Sequence, residues 1–183
     1  MNRNSKTHEL VTIALMASVL CIIAPIVINV GVVPFSFTTF IMYVYLCVFD
    51  ARKCIVSVLV YVGIGLVGVP VFSGYTAGFG QLVGITGGFI IGYIAMSIVS
   101  SMFFKVFKDR RSMTIEGFGV FLGTCVLYVC GVLWYVLVTD NTLVQALMIC
   151  VLPFILPDVL KMIVAVTVGK MIRKRLIMAG LII

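Results

Sequence analysis

The chain is 183 residues long, and its composition excludes a water-soluble fold. Hydrophobic residues make up 63% of it and charged residues 10%, and the mean hydropathy is +1.29. A soluble domain is about 45–50% apolar and about 25% charged, and a domain of this size leaves too much surface in water to hide the excess. These values exclude a soluble enzyme, a nucleic-acid-binding module and a disordered regulator, and they indicate an all-α integral membrane protein.

Six apolar stretches have the length and composition of membrane-spanning helices. A spanning helix needs roughly 20 mostly apolar residues, and the stretches are separated by prolines, glycines or charged residues. We therefore predict one membrane domain over residues 1–183. Its six spans are residues 10–30, 35–49, 54–69, 82–104, 115–138 and 157–174.

The last apolar stretch is too long for one span and contains two prolines, Pro153 and Pro157. Proline fits the first turn of a helix and disrupts its interior. We therefore predict a short helix from Leu143 to about Val151, which enters or lies on the membrane, and a sixth span that begins near Pro157.

The basic residues predict the orientation of the chain. Twelve of the thirteen Lys and Arg residues lie before the first span, between spans two and three, between spans four and five, or at the end of the sixth. All four places are on one side of the membrane, so both termini are predicted to be cytoplasmic. The net charge of +7 is then a topology signal, and it does not indicate a nucleic acid partner.

The thirteenth basic residue, Lys161, lies inside the sixth span, three residues after Asp158. This spacing places both on one helix face, and charges inside a span are expensive and therefore functional candidates. One interpretation is a pair that neutralises itself at the outer helix end, where Asp158 also favours the helix dipole. The other is a solute site in which Asp158 accepts hydrogen bonds and Lys161 donates them.

A glycine-rich segment, residues 68–88, forms the second outer loop and contains seven glycines. Aromatic and polar side chains lie among them, namely Phe72, Tyr75, Phe79, Gln81 and Thr86. Glycine allows close backbone approach, and aromatic rings offer flat contact surfaces. The segment is thus predicted to cover a ligand, although glycine in membrane proteins also serves simply for close helix packing.

No motif in the sequence indicates an enzyme. There is no phosphate-binding loop, no H-E-x-x-H and no G-x-S-x-G, so the chain has no visible means of hydrolysing ATP. The six cysteines lie in apolar runs without C-x-x-C spacing, and His8 stands alone, so neither a metal nor a cofactor is predicted.

Several short motifs resemble the BioY family, the biotin-binding S components of energy-coupling factor (ECF) vitamin transporters. The resemblance covers nearly the whole chain, and the order and spacing of the motifs make it specific. They are Val33-Pro34-Phe35-Ser36, Gly68 to Gly74, Gly84 to Phe89 with Gly92-Tyr93, Tyr128-x-x-Gly131-x-x-Trp134, and Pro153-Phe154 with Pro157 to Lys161.

The resemblance implies a six-helix, non-enzymatic subunit that binds biotin near the extracytoplasmic face of a prokaryotic cell membrane. It also implies a transmembrane T component and two cytoplasmic ATPases as partners. Asp158 would accept from the ureido N–H groups of biotin, and Lys161 would donate to its ureido oxygen or carboxylate. Tyr128, Trp134, Phe72 and Tyr75 are predicted apolar contacts, and Gln81 and Thr86 are predicted polar contacts.

The family docks on its partners through small residues of the first helix, where this chain has Ala14, Ala17 and Ser18. The same residues could instead serve packing inside the bundle. Three other functions stay open: a stand-alone channel or facilitator, a structural membrane protein, and an S component for another vitamin.

Overall fold

The computed structural model describes residues 3–28, 32–107 and 112–180, with side chains from Lys6 onward. Lys108, Arg110 and Arg111, which contribute to the predicted orientation, lie outside the described residues. So do residues 29 to 31 of the predicted first span and loop. The elements are α1 (Arg3–Ile23), β1 (Val27–Ile28), β2 (Phe35–Ser36), α2 (Thr38–Val48), α3 (Ala51–Leu66), α4 (Phe79–Val83), α5 (Gly87–Val106), α6 (Met113–Thr139), α7 (Leu143–Cys150) and α8 (Leu152–Met178).

Four helices in these ranges are long and apolar enough to cross a membrane, namely α1, α5, α6 and α8. Helix α2 is apolar but has only 11 residues, and α3 has 16. The all-helical character predicted from the sequence is therefore confirmed.

The first helix ends earlier than predicted. Helix α1 stops at Ile23 and not at residue 30, because Pro25 has no backbone N–H and clashes with a preceding helical turn. The chain then forms a short antiparallel hairpin, in which Val27 pairs with Ser36 and Ile28 with Phe35. Helix α2 consequently begins at Thr38, three residues later than predicted, and the hairpin lies directly before it.

The fourth predicted span is divided in the structure. Residues 79–83 form the separate helix α4, and the long helix α5 begins only at Gly87. The backbone at Gly84 is extended, which ends α4 and turns the chain into α5. Smaller differences occur in α3, which covers 51–66 where 54–69 was predicted, and in α6, which covers 113–139 where 115–138 was predicted.

The last helix begins at Leu152, five residues before the predicted start at Pro157. Pro153 lies in its first turn, where a missing N–H costs nothing, and Pro157 is accommodated inside the helix. Asp158 and Lys161 therefore lie in the second and third turns. The dipole contribution proposed for Asp158 is removed by this correction, because the effect falls off within the first turn of a helix.

The predicted short helix before α8 is present as α7. Thr142 caps it by accepting from the backbone N–H of Gln145, whose side chain accepts from the backbone N–H of Thr142 in return. This reciprocal capping box satisfies two N–H groups that a helix start otherwise leaves unpaired.

Small residues bring the long helices close together. A side chain at Gly88 would lie 2.3 Å from Trp134, and one at Gly131 would lie 2.5 Å from the Phe89 ring, so α5 and α6 pack with their backbones in near contact. Gly169 does the same for α8 against Cys47 of α2. The close packing of α2 on α8 is what holds the N-terminus of α2 beside the charged residues of α8.

The two ends of the bundle differ in character. At one end Arg52 of α3 pairs with Glu9 of α1 at 3.5 Å, and Arg173 of α8 pairs with Glu116 of α6 at 3.5 Å. The other end is closed by the hairpin, the glycine-rich segment and α7. The site described next lies toward this second end.

Candidate functional site

Lys161 is buried and has a hydrogen-bond acceptor for each of its three N–H groups. Its Nζ donates to the carbonyl oxygen of Ser36 at 2.8 Å, to Thr39 Oγ1 at 3.0 Å and to Asp158 Oδ1 at 3.0 Å. The ammonium also lies 3.8 Å from the centre of the Phe35 ring, a cation–π contact. These contacts connect Lys161 of α8 to β2 and to the first turn of α2.

Asp158 is only 3% exposed, and both of its carboxylate oxygens are engaged. The Tyr128 hydroxyl donates to Oδ2 at 2.7 Å, while Lys161 and the Thr39 hydroxyl lie 3.0 Å and 3.5 Å from Oδ1. The short bond from Tyr128 is of the charge-assisted kind, which is stronger than a neutral hydrogen bond. Helices α2, α6 and α8 therefore meet at this carboxylate.

The backbone carbonyl that accepts from Lys161 is held in place by a local Ser-Thr network. The side-chain oxygens of Ser36 and Thr38 lie 2.6 Å apart, and the backbone N–H of Thr38 donates to Ser36 Oγ at 3.0 Å. A serine side chain that accepts from the backbone N–H two residues later stabilises a tight turn. The turn from β2 into α2 is thus ordered around the lysine.

A small cavity lies beside the ion pair, with a volume of about 60 Å³. Ligand sites for molecules of vitamin size usually measure about 300–1,000 Å³, so this cavity is smaller than such a molecule requires. The lining comes from the hairpin and α2, the glycine-rich segment, and α5 to α8. These residues are Val33, Pro34, Ser36, Thr39, Ser73, Thr86, Phe89, Tyr93, Leu127, Tyr128, Cys150, Phe154, Asp158 and Lys161.

Four of the residues predicted to contact a ligand line this cavity. They are Asp158, Lys161, Tyr128 and Thr86, which belong to α8, α6 and the segment before α5. Three separate parts of the chain are thus brought together around one charged pair.

The other four predicted contact residues do not line the cavity. Phe72 is fully buried, because its ring fills the space left open by Gly65 on α3 and packs edge-on against Tyr61. Tyr75 is 67% exposed on the surface.

Gln81 lies on the short helix α4, half-buried. Trp134 packs on the glycines that begin α5 and donates its indole N–H to the carbonyl oxygen of Gly84 at 3.0 Å. Its observed role is to hold the glycine-rich segment on α6.

The contribution of the hairpin and of α2 to the site was not predicted from the sequence. Ser36 and Thr39 contact the charged pair directly, and Phe35 covers the ammonium. A signal was present, because the run from Ser36 to Thr39 offers three hydroxyl groups next to a helix start. Its pairing with Lys161, however, spans 125 residues of sequence.

The small residues of α1 do not form a single face. Ala14 and Ser18 are exposed, and the Ser18 hydroxyl donates to the carbonyl oxygen of Ala14 at 2.8 Å. Ala17 is 2% exposed and belongs to the interior of the bundle. Successive residues of a helix point about 100° apart, so Ala17 and its neighbour Ser18 face different directions. The docking face predicted from the sequence is therefore reduced to Ala14 and Ser18.

The site is chemically suited to a polar, uncharged ligand group. A carboxylate offers about four acceptor positions, and Lys161, Thr39 and Tyr128 use three at Asp158, which leaves one for a ligand N–H. All donors of Lys161 are engaged. Within the described ranges no group of three His, Cys, Asp or Glu side chains is placed to hold a metal ion.

Comparison with known proteins gives a consistent result. The family model of the BioY family matches residues 1–178. Biotin transporter BioY2 of Lactococcus lactis subsp. cremoris is 30% identical over 91% of this chain and 91% of its own length. The probable biotin transporter BioY of Pyrococcus horikoshii is 27% identical over 90% and 96%, respectively.

The fold also matches a solved structure. The crystal structure of the S-component for biotin from an ECF-type ABC transporter superposes with a TM-score of 0.88, and the match covers 95% of each chain at 24% identity.

Proposed function

The chain belongs to the BioY family, and on that premise we propose that it is the biotin-binding membrane subunit of a vitamin uptake transporter. The observation that carries the proposal is the buried Asp158–Lys161 pair, which lines a cavity under loops at one end of a membrane bundle. A charged pair inside a spanning helix is a functional site by default, because the bilayer makes it expensive. The subunit is not an enzyme.

We further propose which groups contact biotin. The vitamin has two ureido N–H donors, a ureido carbonyl, an apolar sulfur-containing ring and a carboxylate. One ureido N–H occupies the remaining acceptor position of Asp158, while Tyr128 keeps the carboxylate oriented. Thr86 offers a hydroxyl from the opposite wall, and Phe89 and Phe154 pack against the ring.

Biotin binding also has to rearrange the contacts of Lys161 in this proposal. The cavity of about 60 Å³ is too small for the vitamin, and Lys161 has no spare donor. For Lys161 to donate to a biotin oxygen, it must release either the Ser36 carbonyl or the Thr39 hydroxyl. Release of Ser36 detaches the hairpin from α8, which opens the cavity from the loop side.

The partners and topology follow the same premise. We propose that α2 and α3 also cross the membrane, which makes six spans in one domain, with α1, α5, α6 and α8 as the others. Both termini then lie in the cytoplasm of a prokaryotic cell, at the end that carries the basic residues. A transmembrane T component and two cytoplasmic ATPases supply the energy, because this chain has no ATPase motif.

Titration calorimetry of the detergent-purified chain with biotin tests the proposal. We expect stoichiometric binding, and we expect Asp158→Asn and Lys161→Met each to weaken it by about 2–5 kcal/mol, the usual cost of truncating one member of a buried charge pair. Lys105→Met is the matched control, because Lys105 is exposed at the end of α5, in the last turn. Unchanged affinity in both site variants would exclude the pair from the site.

Two further measurements separate the alternatives. Liposomes that contain only this chain are expected to bind biotin without sustained accumulation, whereas a stand-alone channel would equilibrate it. Competition with other vitamins is expected to leave biotin binding unchanged, and displacement by another vitamin would reassign the substrate.

A further inference from the structure

A second concave region lies between α8 and α6, and its lining contains neither member of the ion pair. This α6–α8 groove has a volume of about 430 Å³ and is almost entirely apolar. Its lining includes Met113, Gly117 and Phe121 of α6 and Val159, Ile163 and Thr167 of α8. The side chains of Met113, Phe121 and Ile163 are exposed, and both helices are candidate membrane spans, so the groove faces the hydrocarbon of the bilayer.

Basic side chains continue the same face of α8 beyond the groove. Residues three, four and seven positions apart share one face of a helix, so Lys170 follows Ile163 and Thr167 in line, and Lys174 lies one turn further. Both lysines are exposed, and neither forms an ion pair with any of the described residues. The mouth of the apolar groove is therefore positively charged.

The distance along α8 from the far end of the groove to the first lysine beyond it matches one leaflet of a bilayer. From Val159 to Lys170 the helix rises about 16 Å at 1.5 Å per residue, and half of the roughly 30 Å hydrocarbon core is about 15 Å. A lipid acyl chain laid along the groove would thus reach the middle of the membrane with its headgroup phosphate beside the lysines. A helix, about 10 Å wide with its side chains, is wider than a single acyl chain.

Gly117 leaves the α6 side of the groove open. A side chain at this position would contact nothing within 4 Å, in contrast to Gly119 two residues later, where it would lie 2.2 Å from Phe104. The absence of a side chain at Gly117 therefore leaves room for an acyl chain on the floor of the groove.

We propose that the α6–α8 groove is a binding site for an anionic phospholipid, with one acyl chain in the groove and the phosphate at Lys170 and Lys174. Clusters of basic side chains between spanning helices on the cytoplasmic side are suited to anionic headgroups. The site is independent of biotin recognition, because its residues and those of the cavity do not overlap.

Native mass spectrometry of the detergent-purified chain, titrated with phosphatidylglycerol or with phosphatidylcholine of the same acyl chains, tests the proposal. We expect one phosphatidylglycerol to bind about tenfold more tightly than phosphatidylcholine, since each lysine near an anionic headgroup contributes several-fold. Lys170→Gln combined with Lys174→Gln is expected to abolish that preference. Glycerol 3-phosphate, which is a headgroup without chains, is expected not to compete.

Gly117→Leu fills the groove and is expected to lose the bound lipid altogether. Gly63→Leu is the matched control, because Gly63 is also a helical glycine with nothing within 4 Å of an added side chain, and it is expected to bind like the parent chain. Equal binding of the two lipids, or full binding by Gly117→Leu, would overturn the proposal. So would a Gly117→Leu variant that keeps the lipid and loses assembly with the T component, because the groove would then be a protein interface.

Discussion

At the scale of single residues, the charged pair is stabilised by partners from other helices rather than by its own. Lys161 donates to Ser36 and Thr39, and Asp158 accepts from Tyr128, so each charge has more than one compensating contact. A buried charge that loses its partner is much more costly than the pair is stabilising. The pair therefore contributes specificity of arrangement, while its net contribution to the free energy of unfolding is small.

A double-mutant cycle measures this distinction. We expect Lys161→Met alone to lower the free energy of unfolding by about 3–5 kcal/mol, because the Asp158 carboxylate stays buried without its cation. Adding Asp158→Asn in the same chain is expected to restore much of the loss. Chemical unfolding in detergent gives both values.

The exposed pair at the opposite end is the control for that cycle. The Arg52 side chain is 79% exposed and lies 3.5 Å from Glu9, so Arg52→Met is expected to cost about 0–1 kcal/mol. Strictly additive losses in the Asp158–Lys161 cycle would show that the two charges do not depend on each other.

At the scale of elements, the glycine-rich segment is attached to the bundle at two points. Phe72 inserts its ring over Gly65 of α3, and Trp134 of α6 donates to Gly84. Side chains predicted to touch the ligand are thus used to position the segment, and Thr86 alone among the predicted residues of the segment lines the cavity. Aromatic residues in such a segment bury a large apolar area. The ring buries that area equally well against a helix and against a ligand.

Gly65→Ala tests the attachment at α3. The added carbon would lie 2.2 Å from the Phe72 ring, whereas at Gly63 it would meet nothing within 4 Å. We expect Gly65→Ala to lower the free energy of unfolding by about 1–3 kcal/mol through overpacking. Gly63→Ala is expected to be neutral or to stabilise by up to about 1 kcal/mol, because alanine favours helix. Equal thermal unfolding of the two variants would contradict the packing assigned to Phe72.

At the scale of the whole molecule, the two ends of the bundle differ in their residues. One end holds the cavity and its loops, and the other holds the basic residues. The exposed small residues of α1, Ala14 and Ser18, lie on the outside of the bundle between these ends. Small residues allow the close approach of another spanning helix, which is the contact that the proposed T component requires.

Ala14→Trp is expected to abolish most ATP-driven biotin uptake in vesicles that contain the T component and both ATPases, and to leave biotin binding by the isolated chain unchanged. Leu15→Trp is the matched control, since Leu15 is exposed and lies about 100° around α1 from Ala14. Loss of uptake in both variants, or in neither, would remove Ala14 from the docking face.

The membrane character, the all-helical fold and the proximity of Asp158 and Lys161 could be predicted from the sequence. Each depends on local composition or on residues three or four positions apart. A charge inside a spanning helix is energetically costly, and it therefore stands out in the sequence as a functional candidate. The end of α1 was predicted too late, although Pro25 is a local signal for it. The start of α8 could not be predicted, because Pro153 and Pro157 are each compatible with the first turn of a helix.

The residues that surround the pair depend on contacts that no local pattern contains. Ser36 and Thr39 meet Lys161 across more than 120 positions of sequence, and they do so because Gly169 allows α8 to approach α2 closely. In the same way, Phe72 packs on Gly65 and Trp134 packs on Gly88, and neither side chain lines the cavity. Chemistry along the chain thus determined which charges matter, and helix packing determined which side chains they face.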